Sequence, residues 1–151
     1  MDTPAPVQSG TPRPEGAGRA CEVFVVDDSP PIRSRLVRLV EGTGHARVVG
    51  EASTPAEAIP GILRTQPDVA ILDFHLRGGT GLDVLRGIRA GAPATLVVML
   101  SNETDPAYRR ICLTAGASCF LDKSTEFERI TEMVSSRMAG HAAQRREPCA
   151  Q

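Results

Sequence analysis

The sequence predicts an α/β fold, a doubly wound (βα)5 sandwich around a five-stranded parallel sheet. Three observations predict it. Short apolar, β-branched runs alternate five times with segments of helical periodicity. The runs are continuously apolar, as expected of strands covered on both faces. Their presumed ends, near 27, 51, 73, 100 and 122, recur at intervals of 24, 22, 27 and 22 residues. Right-handed crossovers and five strands lead to the flavodoxin-like order 2-1-3-4-5.

The elements follow in order. EVFVVD (22–27) is a buried strand, and PPIRSRLVRLVEG (30–42) a helix with Ile32, Leu36, Leu39 and Val40 on one face and a glycine stop. Asp28 or Ser29 can cap that helix, with Pro30 or Pro31 in its first turn. One carboxylate suffices for a cap, so the adjacent pair Asp27–Asp28 needs a further reason. ARVVGEA (46–52) is the second strand. TPAEAIPGILRTQ (54–66) is a helix that Pro60 should kink or shorten. PDVAILDF (67–74), GLDVLRGIRAG (81–91), ATLVVMLS (94–101), DPAYRRICLTAGA (105–117) and SCFLDK (118–123) continue the alternation. TEFERITEMVSSRM (125–138) closes it as a helix with Phe127, Ile130, Val134 and Met138 on one face. The ordered domain therefore spans 21–139. Residues 1–20, rich in Pro, Gly, Ala and Thr, read as a disordered arm, and 140–151 as a flexible tail.

Composition narrows the function. The net charge is −1, with no Trp and one Tyr, so neither a basic excess nor aromatic stacking points to nucleic acid. No apolar run reaches the roughly 18 residues of a membrane span. The N-terminus lacks the apolar core of a secretory signal, so the expected location is the cytoplasm. Cysteines 21, 112, 119 and 149 show neither CxxC nor metal spacing and read as reduced thiols. Arginine outnumbers lysine 16 to 1, so the single Lys123 calls for a chemical explanation. Arg109 and Arg110 read as a solvated helix face.

Ligands of such sheets bind at the carboxyl ends of the strands, at the switch point between strands 1 and 3. There the chain places Asp27 and Asp28, then Asp73, Ser101, Asp122 and Lys123. Oxygen ligands with open positions suit Mg²⁺. A divalent cation explains why two adjacent carboxylates tolerate each other. Asp73 remains as an oxygen nucleophile, and carboxylates do form acyl phosphates. Lys123 can pair with a carboxylate or a phosphoryl oxygen, and the Ser101 hydroxyl can donate to another.

The motifs VVDD, ILDF, GGTGLDVL, VVMLS and AGASCFLDKS, in this order and spacing, resemble the response-regulator receiver domain of two-component signalling, over about 22–138. The resemblance implies that Asp73 is the phospho-acceptor. It implies that Asp28 and Asp73 ligate Mg²⁺ directly, Asp27 through water, and that the His75 backbone carbonyl completes the set. Ser101 and Lys123 would hold the phosphoryl group, and Phe120 occupies the aromatic switch position. Departures are FHLRGGTGL after the acceptor, where many members carry Met-Pro, and Ser124 where proline often follows the lysine. His75 stands where the side chain is expected to tune hydrolysis.

The expectation is a stand-alone, non-enzymatic receiver, because only 13 residues follow Met138. Its expected partners are a histidine kinase or phosphotransfer protein and a protein target, with no nucleic acid and no membrane. A phosphorylation-dependent dimer stays open. Two alternatives remain: a receiver-like module that acts without phosphorylation, and a Mg²⁺-dependent aspartyl-phosphate phosphatase. The phosphatase would need an aspartate two residues after its nucleophile, and positions 75 and 29 hold His and Ser.

Overall fold

In the computed structural model, which describes residues 20–103 and 105–135, five strands form one parallel sheet. They are β1 (Cys21–Val26), β2 (Ala46–Ala52), β3 (Val69–Asp73), β4 (Leu96–Ser101) and β5 (Cys119–Asp122). Their order is β2-β1-β3-β4-β5, as expected. The helices are α1 (Pro30–Glu41), α2 (Pro55–Thr65), α3 (Gly81–Ile88) and α4 (Pro106–Ala115), with α5 covering 129–135. The arm and tail, together with Met138, lie outside the described residues apart from Ala20.

Alternation along each strand divides the core into two layers. Phe24, Val26, Ala70, Leu72, Val97, Met99 and Phe120 face α2, α3 and α4 through Ala58, Ile62, Val84, Leu85, Ile88 and Cys112. Val23, Val25, Ile71, Val98, Leu100 and Leu121 face α1 and α5 through Leu36, Val40, Ile130, Met133 and Val134. Arg35 of α1 stacks 4.3 Å over the Phe127 ring and closes the second layer at its rim.

Several local expectations change. Pro60 does not shorten α2, which runs to Thr65 and ends on Gln66 in the left-handed region (φ 48°). Pro60 and Ala56 both lie on the solvent side, so water can reach the carbonyl that the proline leaves without a donor. Buried Ala58, Gly61 and Ile62 hold the helix down on the sheet. α3 ends three residues earlier than its pattern suggested. α5 begins at 129 rather than 125, because the preceding residues form tight turns through Arg129 N–H to Glu126 O and Ile130 N–H to Phe127 O. A two-residue ribbon, His75–Leu76 against Gly79–Thr80, was not foreseen. Cys21 and Cys112 are buried free thiols. Cys119 is disulfide-bonded, against the expectation of reduced thiols. Sequence spacing reports local motifs and not pairing in space.

The β1–β2 register slips between Val23 and Phe24, setting Gly50 opposite Phe24. The Phe24 ring then fills the space beside two glycines, Gly50 of β2 and Gly61 of α2. A Cβ on Gly61 would stand 2.7 Å from Phe24 Cζ. Gly→Ala inside an exposed helix stabilises by about 0.5–1 kcal/mol. Here the sign should reverse: Gly61→Ala is expected to destabilise by about 1–3 kcal/mol in urea unfolding. Phe24→Leu in the same chain should recover part of that loss. A stabilising Gly61→Ala would show that the ring does not pack as described.

Candidate functional site

The carboxyl ends of β1, β3, β4 and β5 meet at one edge of the sheet. β1 delivers Asp27 and Asp28. Ser29, not Asp28, caps α1, its side chain accepting from Ile32 N–H at 3.4 Å. Pro30 and Pro31 then occupy the first turn, which needs no donors. Asp27 Oδ1 accepts the Ser29 N–H at 2.8 Å. Arg33 Nη1 donates to the Asp27 carbonyl at 2.6 Å while its Nε pairs with Glu51 at 3.1 Å, anchoring the end of β1 to β2. Asp28 is thus left free of the capping role that the local sequence offered it.

β3 delivers Asp73. Gly81 at the start of α3 makes this corner tight, since a Cβ there would lie 2.5 Å from the Asp73 carbonyl oxygen. Gly81 N–H donates to Phe74 O at 2.8 Å. Thr80 caps α3 through a reciprocal box with Asp83. β4 ends in the fully buried Ser101, whose Oγ accepts the Glu103 N–H at 2.9 Å. β5 delivers Lys123, and its N–H donates to Ser101 O at 2.9 Å.

Lys123 Nζ lies 3.1 Å from Asp27 Oδ2 and 3.2 Å from Asp73 Oδ2. Asp27 is fully buried and Asp73 is 6% exposed. Burial pushes the Asp73 carboxyl up, and the Asp27 charge adds to it. The Lys123 charge, the Lys123 hydrogen bond and the His75 backbone hydrogen bond pull it back, leaving it at about 6. Burial pushes the Lys123 ammonium down, but Asp73 and Asp27 outweigh that and hold it above its ordinary value.

Asp27, Asp28 and Asp73 each offer one oxygen, all within 4.8 Å of one another. Apart from the Lys123 contact, Asp27 Oδ2 has no hydrogen-bond partner although it is buried. An all-oxygen set with a buried, underused acceptor fits a hard divalent cation. Asp122, which the sequence also placed at this edge, turns away. Its Oδ1 accepts from Ser124 N–H at 2.8 Å and Ser124 Oγ at 2.6 Å, which hold its carboxyl below the usual range. Proline at 124 could donate neither bond.

The His75 side chain is exposed, 3.8 Å from Glu103. It meets Phe74 edge-on at 5.0 Å, and Phe74 meets Tyr108 at 5.0 Å. Sequence reasoning missed Tyr108, and only its being the one tyrosine could have flagged it. Phe120 is 5% exposed and packed in the core. Arg109 is not merely solvated, since its Nη1 donates to Phe120 O at 3.1 Å and ties α4 to β5.

Comparison with known proteins bears on this geometry. Residues 23–135 match the model of the response regulator receiver domain. The chain is 36% identical over 115 residues to the nitrate/nitrite response regulator homolog of Haemophilus influenzae, covering 75% of this chain and 54% of that protein. It is 34% identical over 154 residues to a protein-glutamate methylesterase/protein-glutamine glutaminase of Azospirillum brasilense, covering 95% and 39%. The signal receiver domain of NarL from Mycobacterium tuberculosis superposes with a TM-score of 0.75 at 34% identity, covering 81% of this chain and 98% of that one. The chain spans about half the length of several curated relatives, 54–56% of them. Among the described residues no helix is long and apolar enough to cross a membrane.

The raised Asp73 carboxyl carries a stability consequence in metal-free buffer. Its folded value lies above the unfolded one, so its favourable contribution is full below about pH 4 and is lost as pH rises through about 6. With EDTA at pH 8, Asp73→Asn should therefore be more stable than the parent by about 1–3 kcal/mol. Urea unfolding should show the gap closing toward pH 4. A less stable Asp73→Asn at pH 8 would contradict this.

Proposed function

The chain belongs to the response regulator receiver domain family, and from that premise we propose that it is a response-regulator receiver phosphorylated on Asp73. The donor is a histidine kinase or phosphotransfer protein in the cytoplasm, and the output is a protein contact or onward phosphotransfer. The observation that carries this reading is Lys123 Nζ lying between Asp27 and Asp73 at 3.1 and 3.2 Å. That arrangement supports an ionised, positioned nucleophile with a cation beside it.

In the proposed step an Asp73 carboxylate oxygen attacks phosphorus and forms the P–O bond of an acyl phosphate. The P–N bond to the donor imidazole breaks, and the electron pair leaves with that nitrogen, which carries or takes up a proton. When bound, Mg²⁺ supplies charge neutralisation at the phosphoryl oxygens. Asp28, Asp73 and the His75 carbonyl would hold it directly, and Asp27 through water. Once Asp73 is phosphorylated, Lys123 exchanges its carboxylate contact for a phosphoryl oxygen. The Ser101 hydroxyl, now an acceptor for Glu103 N–H, is free to donate its own proton to another phosphoryl oxygen.

Drawing Ser101 inward pulls on the segment leading into α4. The link from Arg109 to Phe120 passes that motion to β5. The α4–β5–α5 face is thereby biased between two arrangements. The chain acts as a phospho-acceptor and not as an enzyme on a separate substrate.

Intact mass after incubation with acetyl phosphate is the test. One base-labile phosphoryl adduct is expected with Mg²⁺, none with EDTA and none in Asp73→Asn. A Mg²⁺-independent adduct, or one that persists in Asp73→Asn, would overturn the assignment.

A further inference from the structure

α3 and α4 leave an open groove of about 510 Å³ between them, lined by Arg86, Arg110, Ile111, Thr114 and Ala115. Ile111, Thr114 and Ala115 follow one helical stripe. Ile111 is 44% exposed, one of two exposed large hydrophobics among the described residues. No acidic residue lines the groove. Arg86 and Arg110 are exposed and have no carboxylate partner among the described residues. Arg89 is engaged elsewhere. It packs over Gly116, the left-handed C-cap of α4, where any Cβ would collide with its guanidinium. There its charge also complements the negative end of the helix. Two free guanidiniums beside an aliphatic seat therefore form a local cationic patch on a chain of net charge −1.

We propose that the α3–α4 groove docks an acidic amphipathic helix of a partner protein. One aliphatic side chain sits against Ile111 and Ala115, and flanking carboxylates reach Arg86 and Arg110. The chain's own ends lack this chemistry. Residues 1–19 carry Asp2 and Glu15 against Arg13 and Arg19, and residues 136–151 carry Arg137, Arg145 and Arg146 against Glu147. A nucleic-acid backbone would satisfy the arginines but leave Ile111 in water. The groove is separate from the face that Arg109 and Phe120 connect, although both share α4. Binding is a property of the unphosphorylated chain, so its outcome does not depend on the chemistry at Asp73.

The experiment uses the full chain, ¹⁵N-labelled, and a short helical peptide with a leucine stripe flanked by glutamates. At low salt its amide shifts should move at Arg86 and over 110–116. The double substitution Arg86→Glu, Arg110→Glu should weaken binding about tenfold or more and make the chain prefer a lysine version of the peptide. Ile111→Ser should weaken it about threefold to fivefold. Thermal melts will show that these surface variants fold. Absence of binding, equal binding by the charge-reversed chain, shifts that map elsewhere, or equally effective competition by duplex DNA would each overturn the proposal. So would sedimentation showing that the arginine variants break a dimer, because the groove would then belong to a second copy.

Discussion

The constraint on which the rest depends is electrostatic. Two carboxylates from different strands, Asp27 and Asp73, are buried side by side, and one ammonium lies within 3.2 Å of both. At an effective dielectric of about 20, unit charges at such distances interact by about 5 kcal/mol. An exposed pair would contribute about 0–1 kcal/mol. Lys123 thus joins β1, β3 and β5 at a point where apolar packing cannot. Its backbone donates to Ser101 as well, which brings β4 into the same unit. Arg could not take this position on the same terms, since its planar fork demands more room than a compact ammonium. This gives the single lysine of an arginine-rich chain its physical reason.

Most of the fold was legible because its signals are local. Continuous apolar runs mark strands buried on both faces, and the order 2-1-3-4-5 follows from handedness and layer packing. The site was legible because the topology collects strand ends at one edge. The local sequence left Asp28 and Ser29 both able to cap α1, and only the backbone path decides for Ser29. What stayed hidden rests on contacts that leave no periodic signal in the sequence. The exposure of the Pro60 ring and the reach of the Arg109 side chain to Phe120 O are set by neighbours in space, while Asp122 is withdrawn by a local bond to Ser124. The ribbon at 75–80 is two residues per strand, too short for a period to register. Tyr108 meets Phe74 because the loop after β3 lies over the start of α4.

α4 connects the separate parts. It follows directly from the Ser101 segment, caps on Asp105, packs Cys112 into the core and fastens to β5 through Arg109. Arg89, the residue just past α3, lies over the C-terminus of α4. A helix held at several points by hydrogen bonds and side-chain packing can adopt discrete arrangements rather than drift. Receiver chemistry at the sheet edge and a cationic groove on the helical layer would then share one movable element.

Lys123 is what allows Asp27 and Asp73 to be buried together. A double-mutant cycle of Lys123→Met and Asp73→Asn, by urea unfolding in EDTA at pH 8, tests it most directly. Lys123→Met alone is expected to destabilise strongly, by about 3–5 kcal/mol, because two carboxylates are left facing each other. The loss should be smaller in the Asp73→Asn chain, with a coupling of about 1–3 kcal/mol. Effects that add to within about 0.5 kcal/mol would contradict it.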